Sequence, residues 1–130
     1  MTWKNWMLGA VLTVAPAFAQ TTFNVPFDFD INGTQWGAGS YQVTPLATGV
    51  VLIRNLDTQK NKMVLTVPDR SAVTDPNHDG LTFHQYGESY FLSLISFGKD
   101  RGLRLSRTTR ERELASRIGP QVASIRSGVR

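Results

Sequence analysis

The chain has no cysteine. That excludes disulfides, zinc–thiolate sites, thiol catalysis and a lipid-modified N-terminal cysteine. Histidine is nearly as scarce, with His78 and His84 the only two. Charged residues make up 18% and hydrophobic residues 41%, which excludes a wholly disordered chain. The longest uncharged apolar run is Met7–Ala15, about half of the ~20 residues that a bilayer core requires. No G-x-S-x-G elbow is present. Gly37-Ala38-Gly39-Ser40 lacks a third glycine and precedes a strand, so it is no phosphate loop. There is no internal repeat and no low-complexity tract.

What is there begins with an export pattern. Lys4 precedes the apolar run, Pro16 breaks it, and Ala17-Phe18-Ala19 supplies small residues at two alternating positions. Residues 1–19 are expected to be a signal peptide cut near Ala19. The mature chain would then start at Gln20, in the periplasm or the medium, with no transmembrane segment. A chain of that size buries roughly two thirds of its unfolded surface, enough for one core.

The rest reads as short strands. Phe23, Val25, Phe27, Phe29 and Ile31 alternate with Asn24, Pro26, Asp28 and Asp30, which predicts one half-buried strand. Pro26 cannot donate to a ladder and marks an edge or a bulge. Asn32-Gly33 predicts a turn, Tyr41–Thr44 a second strand, and Val50–Ile53, apolar on both faces, a central one. Met63–Val67 follows a polar loop. Leu81–Tyr86 and Tyr90–Phe97 flank Gly87-Glu88-Ser89 as a hairpin, and Leu103–Leu105 is a last short strand. Thr108-x-x-Glu111 is a capping-box pattern opening a helix that Gly119-Pro120 stops. Leu114 and Ile118 share one face of it, and Glu113 and Arg117 are spaced for an ion pair. Val122–Ile125 is too short to read as an element, and the end is expected to fray. The expected fold is all-β: a small antiparallel β-sandwich or barrel of about seven strands with a short C-terminal helix. Residues 20–107 form the β domain and residues 108–130 a basic helix and tail.

Charge is unevenly placed. Residues 20–98 carry four basic and seven acidic side chains, a net of −3. Residues 99–130 carry nine and three, a net of +6. Arg104, Arg107, Arg110, Arg112 and Arg117 are the candidate contacts for an anionic partner, because guanidinium forks match carboxylate and phosphate oxygens.

Other chemistry is thin. Asp75-Pro76-Asn77-His78-Asp79-Gly80 matches the first half of a calcium loop, so Asp75, Asn77 and Asp79 are the metal candidates. The twelfth position is Tyr86 instead of a bidentate glutamate, and the flanks read as strands. No cofactor other than calcium is suggested. His84 alternates with Phe83 and is expected on the outer, solvent-facing side of its strand. Asp28 and Asp30 could pair as carboxylates, although edge-strand charges more often block aggregation. Trp36, set among glycines, either stacks on a sugar ring or plugs one end of the core.

Val25-Pro26-Phe27-Asp28-Phe29, Ala38-Gly39-Ser40-Tyr41-Gln42-Val43 and the F-x-x-Y-G-x-x-Y-F-L stretch from Phe83 to Leu92 resemble a recurrent pattern. Arg110–Ala115 closes it. The chain resembles a family of short exported β proteins of soil bacteria whose function is unknown. Trp36-Gly37 stands where a leucine-proline often precedes the Ala-Gly turn. The resemblance implies an exported β protein and no activity. The expectation is a non-enzymatic exported module, binding or structural, whose basic tail touches an anionic envelope component or another exported protein. Nucleic acid is not expected. The alternatives are a subunit that assembles by strand addition through residues 21–31 and a metal-dependent hydrolase.

Overall fold

A computed structural model describes residues 21–73, 77–98 and 101–126. The proposed signal peptide and Asp75 lie outside the described residues. The described residues form eleven strands, not about seven, because one long alternating segment is split and several strands are only two or three residues long. The strands are β1 (Thr21–Val25), β2 (Phe29–Ile31), β3 (Thr34–Trp36), β4 (Gly39–Ala47), β5 (Val50–Asn55), β6 (Asn61–Leu65), β7 (Val67–Pro68), β8 (Asp79–Tyr86), β9 (Ser89–Phe97), β10 (Gly102–Arg104) and β11 (Gln121–Arg126). One helix, α1, spans Thr109–Arg117, and a 3-10 turn spans Arg70–Ala72.

The strands make two sheets. One is antiparallel, in the order β1-β4-β5-β6. The other runs β11-β8-β9-β10-β7, and the β2–β3 hairpin joins it through a parallel pair, Asp30 with Phe91. Val50–Asn55 is indeed an inner strand.

The alternating segment 23–31 crosses between the sheets. Phe23 and Val25 enter the core from β1, and Phe29 and Ile31 enter it from β2 in the other sheet. Pro26 has no N–H to continue the ladder, and Asp28 Oδ1 accepts from the Ala38 N–H at 3.0 Å. Period two survives the crossing because both halves face one core from opposite sides. Asp28 and Asp30 are therefore not a pair: Asp28 is exposed, while Asp30 is buried and accepts from the Gly33 N–H at 2.7 Å. That bond closes the β2–β3 turn, where Asn32 and Gly33 both have positive φ, 50° and 88°, as a tight primed turn requires.

The core gathers Phe23, Tyr41, Val43, Val51, Ile53 and Val64 from the first sheet against Phe29, Leu81, Phe83, Leu92 and Ile95 from the second. Phe29 ties the two, edge-on to Tyr41 at 5.0 Å and to Phe83 at 5.2 Å. Trp36 is only 6% exposed and packs edge-on against Tyr41 at 6.0 Å. It plugs the core and offers no face to a sugar ring.

The segment around Val122–Ile125, too short to read in the sequence, is a strand, and residues 127–130 lie outside the described residues. Residues 121–126 pair with β8 along most of its outer edge, from Gln121 opposite Gln85 to Arg126 opposite Gly80. Sequence periodicity misses this strand because Val122 is 65% exposed and the apolar pattern is shallow.

Candidate functional site

The outer face of the second sheet carries a polar cluster under helix α1. Thr108 caps that helix as expected: its side-chain oxygen accepts from the Glu111 N–H at 3.2 Å. The other half of the capping box is absent. The Glu111 side chain turns down to the sheet, where it is 4% exposed and is the buried residue of the helix. Its Oε2 accepts from the Tyr86 hydroxyl at 2.9 Å, lies 3.2 Å from His84 Nδ1, and is 3.7 Å from Arg107 Nε. The expected apolar contact is weaker. Leu114 is half-buried and Ile118 is 44% exposed.

His84 is on the outer face as expected, but α1 covers much of it and leaves its side chain 20% exposed. With its proton on Nδ1 it donates to Glu111, and Nε2 is left 3.5 Å from Ser93 Oγ. Ser93 is the extra residue of a bulge, since pairing passes from Thr82–Leu94 to Phe83–Leu92. Ser93, His84 and Glu111 thus lie in the order of a hydroxyl, a base and an orienting acid. The nucleophile reading stops there. Ser93 is 8% exposed in mid-strand, its contact is long, and neither of the two clefts described in the molecule is lined by any of the three. What the cluster does is hold the helix. Burial, and next the hydrogen bond to the Glu111 carboxylate, push the Tyr86 phenol above its ordinary value.

The candidate arginines sort into three groups. Arg104 Nε lies 3.3 Å from Asp69 Oδ2, and Arg107 faces Glu111. Hydrogen bonds from Ser71, with Arg104 beside it, hold the Asp69 carboxyl below its usual range. Arg110 sits 5.6 Å above the Phe91 ring. Arg112 and Arg117 are exposed and have no ion-pair partner among the described residues, Glu113 included.

Of the calcium candidates, Asp79 opens β8 and its Oδ2 accepts from the Thr21 hydroxyl at 2.6 Å. Asn77 lies in the turn before it. Among the described residues no group of three or more histidine or acidic side chains is placed to hold a metal ion. Residues 21–25 pair along one edge with β4 of their own chain, as the end strand of that sheet. Among the described residues no helix is long and apolar enough to cross a membrane.

Compared with protein-family models, curated proteins and solved structures, the chain matches none.

The sequence could not find the Glu111 hub. Glu111 is more than twenty positions from both His84 and Tyr86 and on a different element, and it already had a local role in the helix cap. The faint signal was the reduced apolar stripe of α1, which left its docking unexplained.

Proposed function

We propose that the chain is an exported, non-enzymatic binding module: a two-sheet sandwich that presents helix α1 to an anionic envelope component or to the acidic face of another exported protein. The export pattern at Ala17-Phe18-Ala19 and the resemblance to short exported β proteins support the location. The observation that carries the binding reading is the sorting of the arginines. Arg104 and Arg107 are neutralised by Asp69 and Glu111, whereas Arg112 and Arg117 project from a helix that the hub fixes in place. Exposed guanidinium groups on a rigid element are ready to engage oxyanions without ordering a tail first.

The test is retention of the full chain on a sulfated polysaccharide matrix. Retention should weaken steeply between about 50 and 200 mM salt, because exposed charges are screened over about a nanometre. R112A/R117A should elute at clearly lower salt than the parent, with an unchanged circular dichroism spectrum. Equal elution of parent and variant would reject the helix as the contact.

A further inference from the structure

A cleft of about 790 Å³ opens where the two sheets part, between the β4–β5 turn and the facing ends of β9 and β10. Two features make the opening. The β4–β5 pairing shifts register between Pro45 and Ala47, which bends that hairpin. Opposite it, Gly102 lets the 3-10 turn come close, since a Cβ there would lie 2.5 Å from the Asp69 carbonyl oxygen. Val51, fully buried, is the floor, and Leu46, Phe97 and Leu103 are the walls. Leu46 is 38% exposed, and Phe97 and Leu103 are half-buried, so apolar surface is left uncovered inside a concave site. The volume falls within the ~300–1,000 Å³ typical of small-ligand sites.

The charges at the cleft decide what fits. Asp69 is held by Arg104 and Ser71, and Asp79 takes the Thr21 hydroxyl. Arg70 also reaches the lining. Arg101 differs from these. Its guanidinium lies 5.6 Å over the Phe97 ring, and it has no carboxylate partner among the described residues. A cation stacked on the apolar wall leaves its fork of donors available to an oxyanion at the mouth. We propose that this cleft binds a small amphipathic carboxylate, with the apolar body against Leu46, Val51, Phe97 and Leu103 and the carboxylate on Arg101. The site stands on observations separate from those at helix α1.

The experiment is isothermal titration of the full chain with three probes that share a tail, decanoate, decanol and decylammonium, below micelle-forming concentrations. Decanoate should bind at least tenfold more tightly than either of the others. Arg101→Ala should lower decanoate affinity about tenfold and leave decanol unchanged. Ala47→Trp, a surface change at the mouth, should block decanoate while the circular dichroism spectrum stays that of the parent. R112A/R117A should bind decanoate as the parent does. Equal affinity for the three probes would overturn the headgroup assignment, and no binding of any would overturn the site. Loss of decanoate binding in R112A/R117A would move the carboxylate to the helix and overturn the cleft, whatever happens on the polysaccharide matrix.

Discussion

Phe83 and His84 are consecutive on β8 and face opposite ways. Phe83 is fully buried among Phe29, Leu92 and Ile95, where apolar area removed from water does the stabilising. His84 lies on the other face under α1, where a carboxylate, a phenol, an imidazole and a guanidinium meet at one oxygen. The first face needs only residues of suitable shape. The second needs each polar partner in place, because a buried carboxylate without donors is costly. One face therefore carries the stability of the sheets, and the other carries the position of the helix.

The largest effect should come from the core face. Phe83→Ala removes a ring that bridges Phe27 and Phe29 and should cost about 3–5 kcal/mol in urea-induced unfolding. All probes of unfolding should shift together, since that ring belongs to the one core that residues of both sheets form. A loss below ~1 kcal/mol would mean that the two sheets do not share one core.

The outer face should respond less, and locally. Glu111→Ala should cost about 1–3 kcal/mol, through the donors left without an acceptor. Amide protection should fall along α1 while β8 and β9 keep theirs, because the ladder does not pass through Glu111. Equal loss of protection in helix and sheets would erase the distinction between the faces. Tyr86 gives an independent readout. Its pKa is raised above 10.0, by burial first and by the Glu111 hydrogen bond second. The neutral phenol is favoured in the folded state, so this contribution is complete below about pH 10 and is lost as pH rises through the higher folded value. Glu111→Gln removes the carboxylate and should bring the ultraviolet-monitored titration of Tyr86 down, without reaching the ordinary value because burial remains. A titration that does not move would detach Tyr86 from the hub.

The same two faces explain what could be read from the chain alone. Phe83, Leu92 and the Asn32-Gly33 turn announce themselves, because period-two alternation and positive-φ residues are local signals. The crossing at Pro26–Asp28 hides inside that signal, since alternation is unchanged when a strand moves to the opposite sheet. The Thr108 cap was legible, again as a local pattern. The fate of the Glu111 side chain was not, because His84 and Tyr86 lie on another element, β8, and no spacing rule links them to it. β11 was missed for a related reason: an edge strand held by backbone pairing needs little apolar patterning. The cleft was beyond reach too, as Leu46, Phe97 and Arg101 come together only when both sheets are in place.

The smallest effect tests the border between the two faces. Arg110 is exposed, yet its guanidinium lies 5.6 Å over Phe91, on the same side of the sheet as Tyr86. Such a contact at an exposed site is worth about 0.5–1 kcal/mol. Arg110→Ala should therefore cost no more than that in urea unfolding, and Arg110→Lys should recover part of it by keeping a cation over the ring. Because the guanidinium is already turned toward Phe91, Arg110→Ala should also lower retention on the polysaccharide matrix less than R112A/R117A does. A stability loss above ~2 kcal/mol would place the anchor of the helix at Phe91 instead of Glu111. A fall in retention as large as that of the double variant would show that the ring contact yields to the partner, and the arginines of α1 would then act as one surface.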